Sequence, residues 1–77
     1  MQHEPQKGLG RAVRVLRERA AVDQATLAGR ADLPESLIAE IESEKADPVW
    51  GDVRRIALAL GVSLERLSEL AEELEAD

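Results

Sequence analysis

Apolar side chains recur along this chain every three or four residues, the spacing that places them on one face of an α-helix. Between the apolar segments stand residues that cap or interrupt helices, namely Asp23, Pro34, Pro48, Gly61 and Ser63. No segment alternates apolar and polar residues as a half-buried strand does. The pattern predicts five short helices, over residues 9 to about 20, 24 to about 30, 35 to about 43, 50 to 60 and 64 to about 76.

The start of the third predicted helix has two possible interpretations. Pro34 opens the helix with its fixed φ angle, or Asp32 caps it, with Glu35 three residues later completing a capping box. Asp32 also stands in the preceding turn, where a left-handed backbone is often needed and Asp tolerates it. Both starts leave the same side chains of the third helix facing outward.

The second and third predicted helices are joined by a tight turn over residues 31–33. Apolar residues of both helices would hold them together at a steep angle. These residues are Leu27, Ala28, Ala31, Leu33, Ile38 and Ile41. The arrangement is typical of a helix-turn-helix, whose second helix normally lies in the DNA major groove. The pattern therefore predicts an all-α fold with a helix-turn-helix over about residues 23–43.

Length and composition narrow the possibilities further. Seventy-seven residues make one domain, which we expect to span residues 8–77 after a flexible, polar arm over residues 1–7. The chain has no cysteine, so disulfides and thiolate metal sites are excluded. Because no segment has the apolar length of a membrane span or a signal peptide, we expect a soluble protein of the cytoplasm without a membrane partner.

The net charge of −6 opposes nucleic-acid binding when it is taken alone. Its distribution changes this picture. Residues 1–64 carry nine positive and ten negative side chains, whereas residues 65–77 carry one positive and six negative. Most of the acidity therefore belongs to the fifth predicted helix. Glu35 and Glu40 are different, because helix geometry places them on the outward face of the third helix.

No residue pattern in the sequence indicates a catalytic site. The one histidine, His3, lies in the predicted arm, and the chain has no cysteine or tyrosine. The serine and threonine hydroxyls have no base at a spacing that would activate them. Neither a glycine-rich phosphate loop nor a zinc or calcium motif is present. We therefore expect no enzymatic activity, no metal and no cofactor.

A set of residues along most of the chain stands in the order and spacing of a known family. They are Leu9-Gly10, Leu16-Arg17, Gln24, Leu27-Ala28, Ile38, Ile41-Glu42, Asp47-Pro48, Ile56-Ala57, Ala59-Leu60-Gly61-Val62 and Leu67. Over residues 9 to about 70 the chain thus resembles the phage-repressor-type helix-turn-helix domains, the XRE or Cro-like family. The resemblance implies a compact five-helix, lambda-repressor-like DNA-binding domain. It also implies a sequence-specific transcriptional regulator, a repressor, that binds double-stranded DNA as a homodimer.

The resemblance assigns roles to particular positions. Residues in the family's positions for DNA phosphate contacts are Gln24, Lys45 and Arg54. Residues in its positions for reading base edges are Glu35, Ser36 and Glu40. Arg17 and Glu42 hold positions that form a partly buried ion pair between the first and third helices in several family members.

The sequence departs from the family pattern at five positions. Pro34 replaces the usual Ser or Thr at the start of the third helix, and Asp32 and Glu44 replace glycines on either side of it. Glu35 and Glu40 would face the DNA. A glutamate can accept a hydrogen bond from a cytosine amino group, yet both carboxylates oppose the phosphate field that supplies much of the affinity.

Two further expectations concern partners. The apolar stripe of the fifth helix continues through Leu70 and Leu74, which we expect to contact a symmetric second copy. Trp50 is expected to fill the core or its rim. The alternative function uses the same fold as a protein-interaction module, antitoxin-like or an adaptor, whose acidic face binds a basic protein.

Overall fold

The computed structural model describes residues 8–75. Five helices and no strand occur in this part of the chain, which confirms the predicted all-α fold. The helices are α1 (Gly8–Arg19), α2 (Gln24–Ala31), α3 (Glu35–Glu42), α4 (Trp50–Leu60) and α5 (Leu64–Glu75). The predicted arm over residues 1–7, with His3, and the last residues after Glu75 lie outside the described part. None of the five helices is long and apolar enough to cross a membrane.

Local sequence sets several helix ends. The Asp23 side chain caps α2 by accepting a hydrogen bond from the Thr26 amide at 2.7 Å, and the Ser63 hydroxyl accepts from the Arg66 amide at 3.0 Å at the start of α5. Gly61 ends α4 in a left-handed conformation with φ 74°, which glycine adopts without steric cost. These three ends follow the sequence prediction.

The turn between α2 and α3 decides between the two interpretations of the α3 start. Asp32 has φ 58° and ψ 47°, and its amide bonds back to the carbonyls of Ala28 and Gly29, so it ends α2. Pro34 is the residue before the first turn of α3, with an extended backbone and no side-chain cap. The capping box between Asp32 and Glu35 is therefore wrong, because a left-handed residue that closes one helix cannot also be the extended cap of the next.

The core lies where the five helices meet. α5 packs along α1, while α2 packs against both α3 and α4. The largest fully buried side chains are Leu27, Ile38, Ile41, Ile56, Leu67 and Val13. The predicted clamp between α2 and α3 is largely buried, and Leu33 in the turn is half-buried. Burial of these aliphatic side chains fixes the angle between the two helices.

Two glycines allow α1 to approach its neighbours closely. A Cβ atom at Gly10 would collide with the carbonyl oxygen of Ile41 in α3, and one at Gly8 would collide with the carbonyl oxygen of Ala71 in α5. Backbone atoms cannot swing aside as a flexible side chain does, so any larger residue would push the helices apart. The first turn of α1 is thus held directly against α3 and α5.

Trp50 does not fill the core, contrary to the expectation from the sequence. Its side chain is 67% exposed at the first position of α4. The inward face of α4 is occupied by Val53, Ile56 and Ala57, which are buried. Helical spacing alone would place position 50 near the same side as Val53 and Ala57. Trp50 is exposed because it is the first residue of α4, where the preceding residue, Val49, is also exposed and no neighbouring helix within residues 8–75 covers this end.

Candidate nucleic-acid interface

The outward face of α3 carries the three residues expected to read bases. Glu35, Ser36 and Glu40 are all exposed, while Ile38 and Ile41 on the opposite side of the helix are buried. α3 is therefore attached to the domain by its apolar side and presents a short polar surface on the other. Its first turn carries the negative charge of Glu35.

Glu42, at the end of α3, joins three elements of the fold. Its carboxylate accepts hydrogen bonds from Arg17 Nε at 2.7 Å and from Arg17 Nη2 at 3.0 Å. It also accepts one from the side-chain amide of Gln24 at 3.0 Å. The side chains of Arg17 and Glu42 are only 12% and 4% exposed. The structure therefore contains the ion pair that the family resemblance implied, with Gln24 added to it.

The Arg17 guanidinium also forms a hydrogen bond with the loop before α2. Arg17 Nη1 donates to the Val22 carbonyl at 2.9 Å, and the hydrogen bond to Glu42 raises the pKa of Arg17, which stays charged. We call Arg17, Gln24 and Glu42 the α1–α3 junction. Because its hydrogen bonds have fixed directions, the junction sets how α2 and α3 sit against α1.

The junction limits the hydrogen-bond donors of Gln24 that can contact DNA. One of the two N–H groups of its side-chain amide is used by Glu42, which leaves one for a phosphate oxygen. The amide is held in place, so contacting a phosphate requires little further ordering. Gln24 is therefore both a structural residue and a candidate backbone contact.

Asp23, which the sequence pattern indicated only as a helix cap, adds a negative charge at the same end of α2. Hydrogen bonds from Thr26 lower the pKa of Asp23, so its carboxylate is ionised at neutral pH. The start of a helix attracts anions through its free amides and dipole. Here the protein's own carboxylate already occupies part of that position, which opposes a phosphate beside Gln24.

Lys45 follows α3 in a compact turn. The amides of Lys45 and Ala46 both donate to the Glu40 carbonyl, at 2.9 and 3.3 Å, and Glu44 before them has φ 62°. This left-handed residue is where the family usually has glycine, and a side chain there carries backbone strain. The turn leaves the Lys45 side chain exposed, next to the end of α3.

Arg54 lies on the outer face of α4 and not at the start of that helix. It lines a shallow hollow together with Gly51, Arg55 and Leu58. Leu58 is 75% exposed. The structure therefore sets Arg54 among exposed apolar surface, whereas Arg17, Gln24 and Glu42 are brought together in the junction.

The predicted dimer contacts of α5 have different surroundings. Leu70 is 4% exposed and belongs to the core, so its assignment to a dimer contact is wrong. The reason is that α5 uses this side to pack along α1. Leu74 is partly buried against the core and keeps some accessible surface, and its contact with a second copy stays a prediction.

The sequence pattern did not predict that apolar residues are exposed both at the start of α4 and on its outer side. Val49 and Trp50 are 66% and 67% exposed, and Leu58 is more exposed still. The helical period does predict that Leu58 is exposed, because Leu58 lies about 140° or more from the buried Val53 and Ile56 around the helix axis. Within residues 8–75, no group of His, Cys, Asp or Glu side chains is arranged to hold a metal ion.

Comparison with known proteins agrees with this architecture. Residues 8–70 match the model of a family described as a helix-turn-helix domain. The chain belongs to this helix-turn-helix family. It also superposes on the crystal structure of the restriction-modification controller protein C.AhdI from Aeromonas hydrophila, with a TM-score of 0.78 and 24% sequence identity. The superposition covers 80% of this chain and 94% of that one. No curated protein matches the sequence significantly.

Proposed function

We propose that this protein is a DNA-binding transcriptional regulator that inserts α3 into the major groove. The proposal rests on the observation that α3 exposes its polar face while its end is held firmly by the rest of the domain. Its polar face, with Glu35, Ser36 and Glu40, is exposed, while Glu42 at its end is tied to Arg17 and Gln24. A reading helix needs such a rigid attachment, because base contacts depend on fixed positions.

Family membership and the controller protein of similar fold support a regulatory role. We further propose that the protein acts in the cytoplasm as a repressor, as a homodimer on two half-sites. A two-fold dimer places two copies of α3 about one helical turn of DNA apart, roughly 34 Å. The operator is then a palindrome or a near-palindrome.

Affinity for the DNA backbone would come from Lys45, Arg54 and the free N–H of Gln24. This is a small positive set beside Asp23, Glu35 and Glu40. Counterion release by so few cations gives a shallow dependence of affinity on salt, because each phosphate neutralised contributes about one unit to the slope. Specificity would then rest on a good fit of α3 to bases, including cytosine amino groups that glutamate side chains accept from.

The first experiment is selection of DNA from a random-sequence duplex library by the purified protein at near-physiological salt. The expected result is a palindromic motif. Ser36→Ala and Glu40→Gln are each expected to change the preference at particular positions, whereas Lys45→Ala weakens binding to all sequences about equally. Affinities are measured by fluorescence anisotropy with labelled duplexes.

Matched controls separate these effects from a general change of charge. Glu75→Gln removes the same charge as Glu40→Gln from an exposed position on α5, and Arg19→Ala removes a positive charge from the end of α1. Neither is expected to alter the selected motif. A folded protein that enriches no sequence would refute the proposal, and Ser36 and Glu40 variants that retain the original preference would refute the assignment of base-reading residues.

The acidic surface of α3 favours a second candidate function, binding to a basic protein. Glu35 and Glu40 are exposed together on this short helix, and Glu44 follows them with a side chain only partly engaged by Arg11 at 3.5 Å. In this case Glu35→Gln with Glu40→Gln abolishes partner binding. The same double variant should strengthen binding to DNA of unrelated sequence, because it removes two negative charges that oppose the phosphates, so the two functions predict opposite signs.

A further inference from the structure

The turn after α3 contains a residue whose backbone conformation is unfavourable for its type. Glu44 has φ 62°, in the left-handed region that residues with a Cβ atom rarely adopt. Its amide donates to the Ile41 carbonyl at 3.0 Å. Strain of this kind persists only where other contacts hold the residue in place, and it clusters at functional sites. The contacts of the Glu44 side chain therefore indicate what this turn does.

The Glu44 side chain lies back across the start of α1. A Cβ atom at Gly10 would stand only 3.0 Å from Glu44 Cγ, so the stem of the glutamate passes over α1 where this helix has no side chain. Its carboxylate reaches the next residue of α1, with 3.5 Å between Glu44 Oε2 and Arg11 Nε. The Glu44 side chain is 33% exposed, about half as much as that of Arg11. Glu44 is thus directed toward α1 and its charge is paired there.

The residue after Glu44 is Lys45, the proposed phosphate contact. The Glu40 carbonyl fixes the backbone here, because it accepts from the Lys45 and Ala46 amides and from the Ser43 hydroxyl. The Lys45 side chain is exposed and forms no ion pair within residues 8–75. Consecutive Cα atoms are about 3.8 Å apart, well within the ~10 Å over which charges act at 0.1 M salt. A free carboxylate at position 44 would therefore compete with a phosphate for the Lys45 ammonium.

We propose that Arg11 is a positioning residue for DNA binding. It holds the Glu44 carboxylate against α1 and neutralises it, which leaves the Lys45 ammonium free for a phosphate. The inference rests on the proposed function, because it concerns the affinity for the DNA backbone. Arg11 acts through Glu44 and does not itself contact the DNA. Since the ion pair is partly exposed, it contributes little to the stability of the fold, and its effect is on binding.

A double-mutant cycle between Arg11 and Glu44 tests the proposal. Fluorescence anisotropy measures the affinity of the full chain for a duplex selected as described above, at low and at near-physiological salt. Arg11→Ala should weaken binding about threefold to tenfold at low salt, because it releases the Glu44 carboxylate beside Lys45. In a chain that already carries Glu44→Gln, the same Arg11→Ala change should weaken binding less than about twofold. Such a difference measures the coupling between the two residues.

Two further variants distinguish this role from a general effect of charge. Arg14→Ala is the matched control, because the Arg14 side chain is also 64% exposed and is paired with Glu18 of the same helix. It should change the affinity less than about twofold. Arg11→Lys retains a positive charge and should retain most of the affinity. Urea denaturation of every variant should give nearly the same midpoint, so a merely structural role of Arg11 would not produce the expected pattern.

The salt dependence identifies a direct contact of Arg11 with DNA. If Arg11 bound a phosphate, Arg11→Ala would reduce the salt slope by about one unit, and the loss of affinity would be the same with Glu44 or Gln at position 44. Equal losses in the two backgrounds would overturn the inference, and so would an unchanged affinity of Arg11→Ala. A folded, unmodified chain that binds no duplex would refute the proposed function itself, and the two failures are therefore distinguishable.

Discussion

The α1–α3 junction and the outer side of α4, where Arg54 and Arg55 lie beside the exposed Leu58, both contain arginine, but they use it in opposite ways. We call this outer side of α4 the α4 stripe. Arg17 is 12% exposed and directs three hydrogen bonds to Glu42 and Val22. Arg54 and Arg55 are exposed beside Leu58 and have no ion pair within the described residues. The charge of Arg17 is paired with Glu42 inside the domain, whereas the charges of Arg54 and Arg55 remain accessible at the surface.

The comparison distinguishes charged residues that stabilise the fold from charged residues that remain accessible on its surface. A buried charge is tolerated only when its hydrogen-bonding groups find partners, so its loss is costly and its geometry is strict. An exposed charge beside apolar side chains contributes little to the stability of its own domain. We therefore expect substitutions at the junction to change the free energy of unfolding strongly, and substitutions at the stripe to leave it nearly unchanged.

The largest expected effect is at the junction. Arg17→Met leaves the Glu42 carboxylate buried without its main partner and should lower the free energy of unfolding by about 3–5 kcal/mol. Urea denaturation followed by circular dichroism measures this loss. Arg14→Met is the control, since the Arg14–Glu18 pair is exposed on both sides and should contribute less than about 1 kcal/mol. Equal losses in the two variants would contradict the structural role of the junction.

The next effect concerns the close approach of α1 to α3. Gly10→Ala places a methyl group against the Ile41 carbonyl and should destabilise the fold by about 1–3 kcal/mol. Gly29→Ala is the matched control, because nothing lies within 4 Å of a Cβ atom there. It should stabilise α2 by about 0.5–1 kcal/mol through the higher helix propensity of alanine. Thermal unfolding of both variants would show shifts of opposite sign, and a stabilising Gly10→Ala would mean that α1 and α3 are farther apart.

A smaller effect is expected at the start of α2. Asp23→Ser keeps a capping oxygen and removes the carboxylate, which should raise DNA affinity about two- to fivefold at low salt because less charge opposes the phosphate. Thr26→Val, which leaves Asp23 and its charge unchanged, is the comparison. Anisotropy titrations measure both affinities, and unchanged binding by Asp23→Ser would remove this end of α2 from the interface.

The same residue predicts a dependence of stability on pH. The pKa of Asp23 in the folded chain is lower than its ordinary value of 3.8. Its contribution to stability is therefore present above that value and is lost as the pH falls through the folded pKa. Melting temperatures measured between about pH 6 and pH 2 should fall more in the unmodified chain than in Asp23→Ser. Parallel curves would contradict an ionised cap.

The smallest expected effect on stability is at the stripe. Leu58→Gln should change the free energy of unfolding by no more than about 0.5 kcal/mol, because the side chain is 75% exposed. Urea denaturation at a protein concentration where the chain is monomeric measures this. Leu67→Gln, a buried leucine of α5, should instead unfold the domain or nearly so. A large loss in Leu58→Gln would show that the stripe belongs to the core.

Much of the fold was predictable because its determinants are local or periodic. Asp23, Gly61 and Ser63 act on amides and dihedral angles within a few residues of themselves, so their roles follow from sequence position. The predicted bounds of the helices agree with the structure to within about one residue for the same reason. The capping box at Asp32 failed because two local motifs competed for one residue, and the packing of α2 on α3 selected the turn.

The sequence by itself determined five helices, an apolar clamp between α2 and α3, and the polar residues on the outside of α3. Only the tertiary structure decided that Gln24 is bound to Glu42, that Leu70 is buried and that Trp50 is exposed. Each of these outcomes depends on which neighbour a side chain meets, and that neighbour belongs to another helix far away in the chain. Helical periodicity defines a face, but packing decides whether that face is covered.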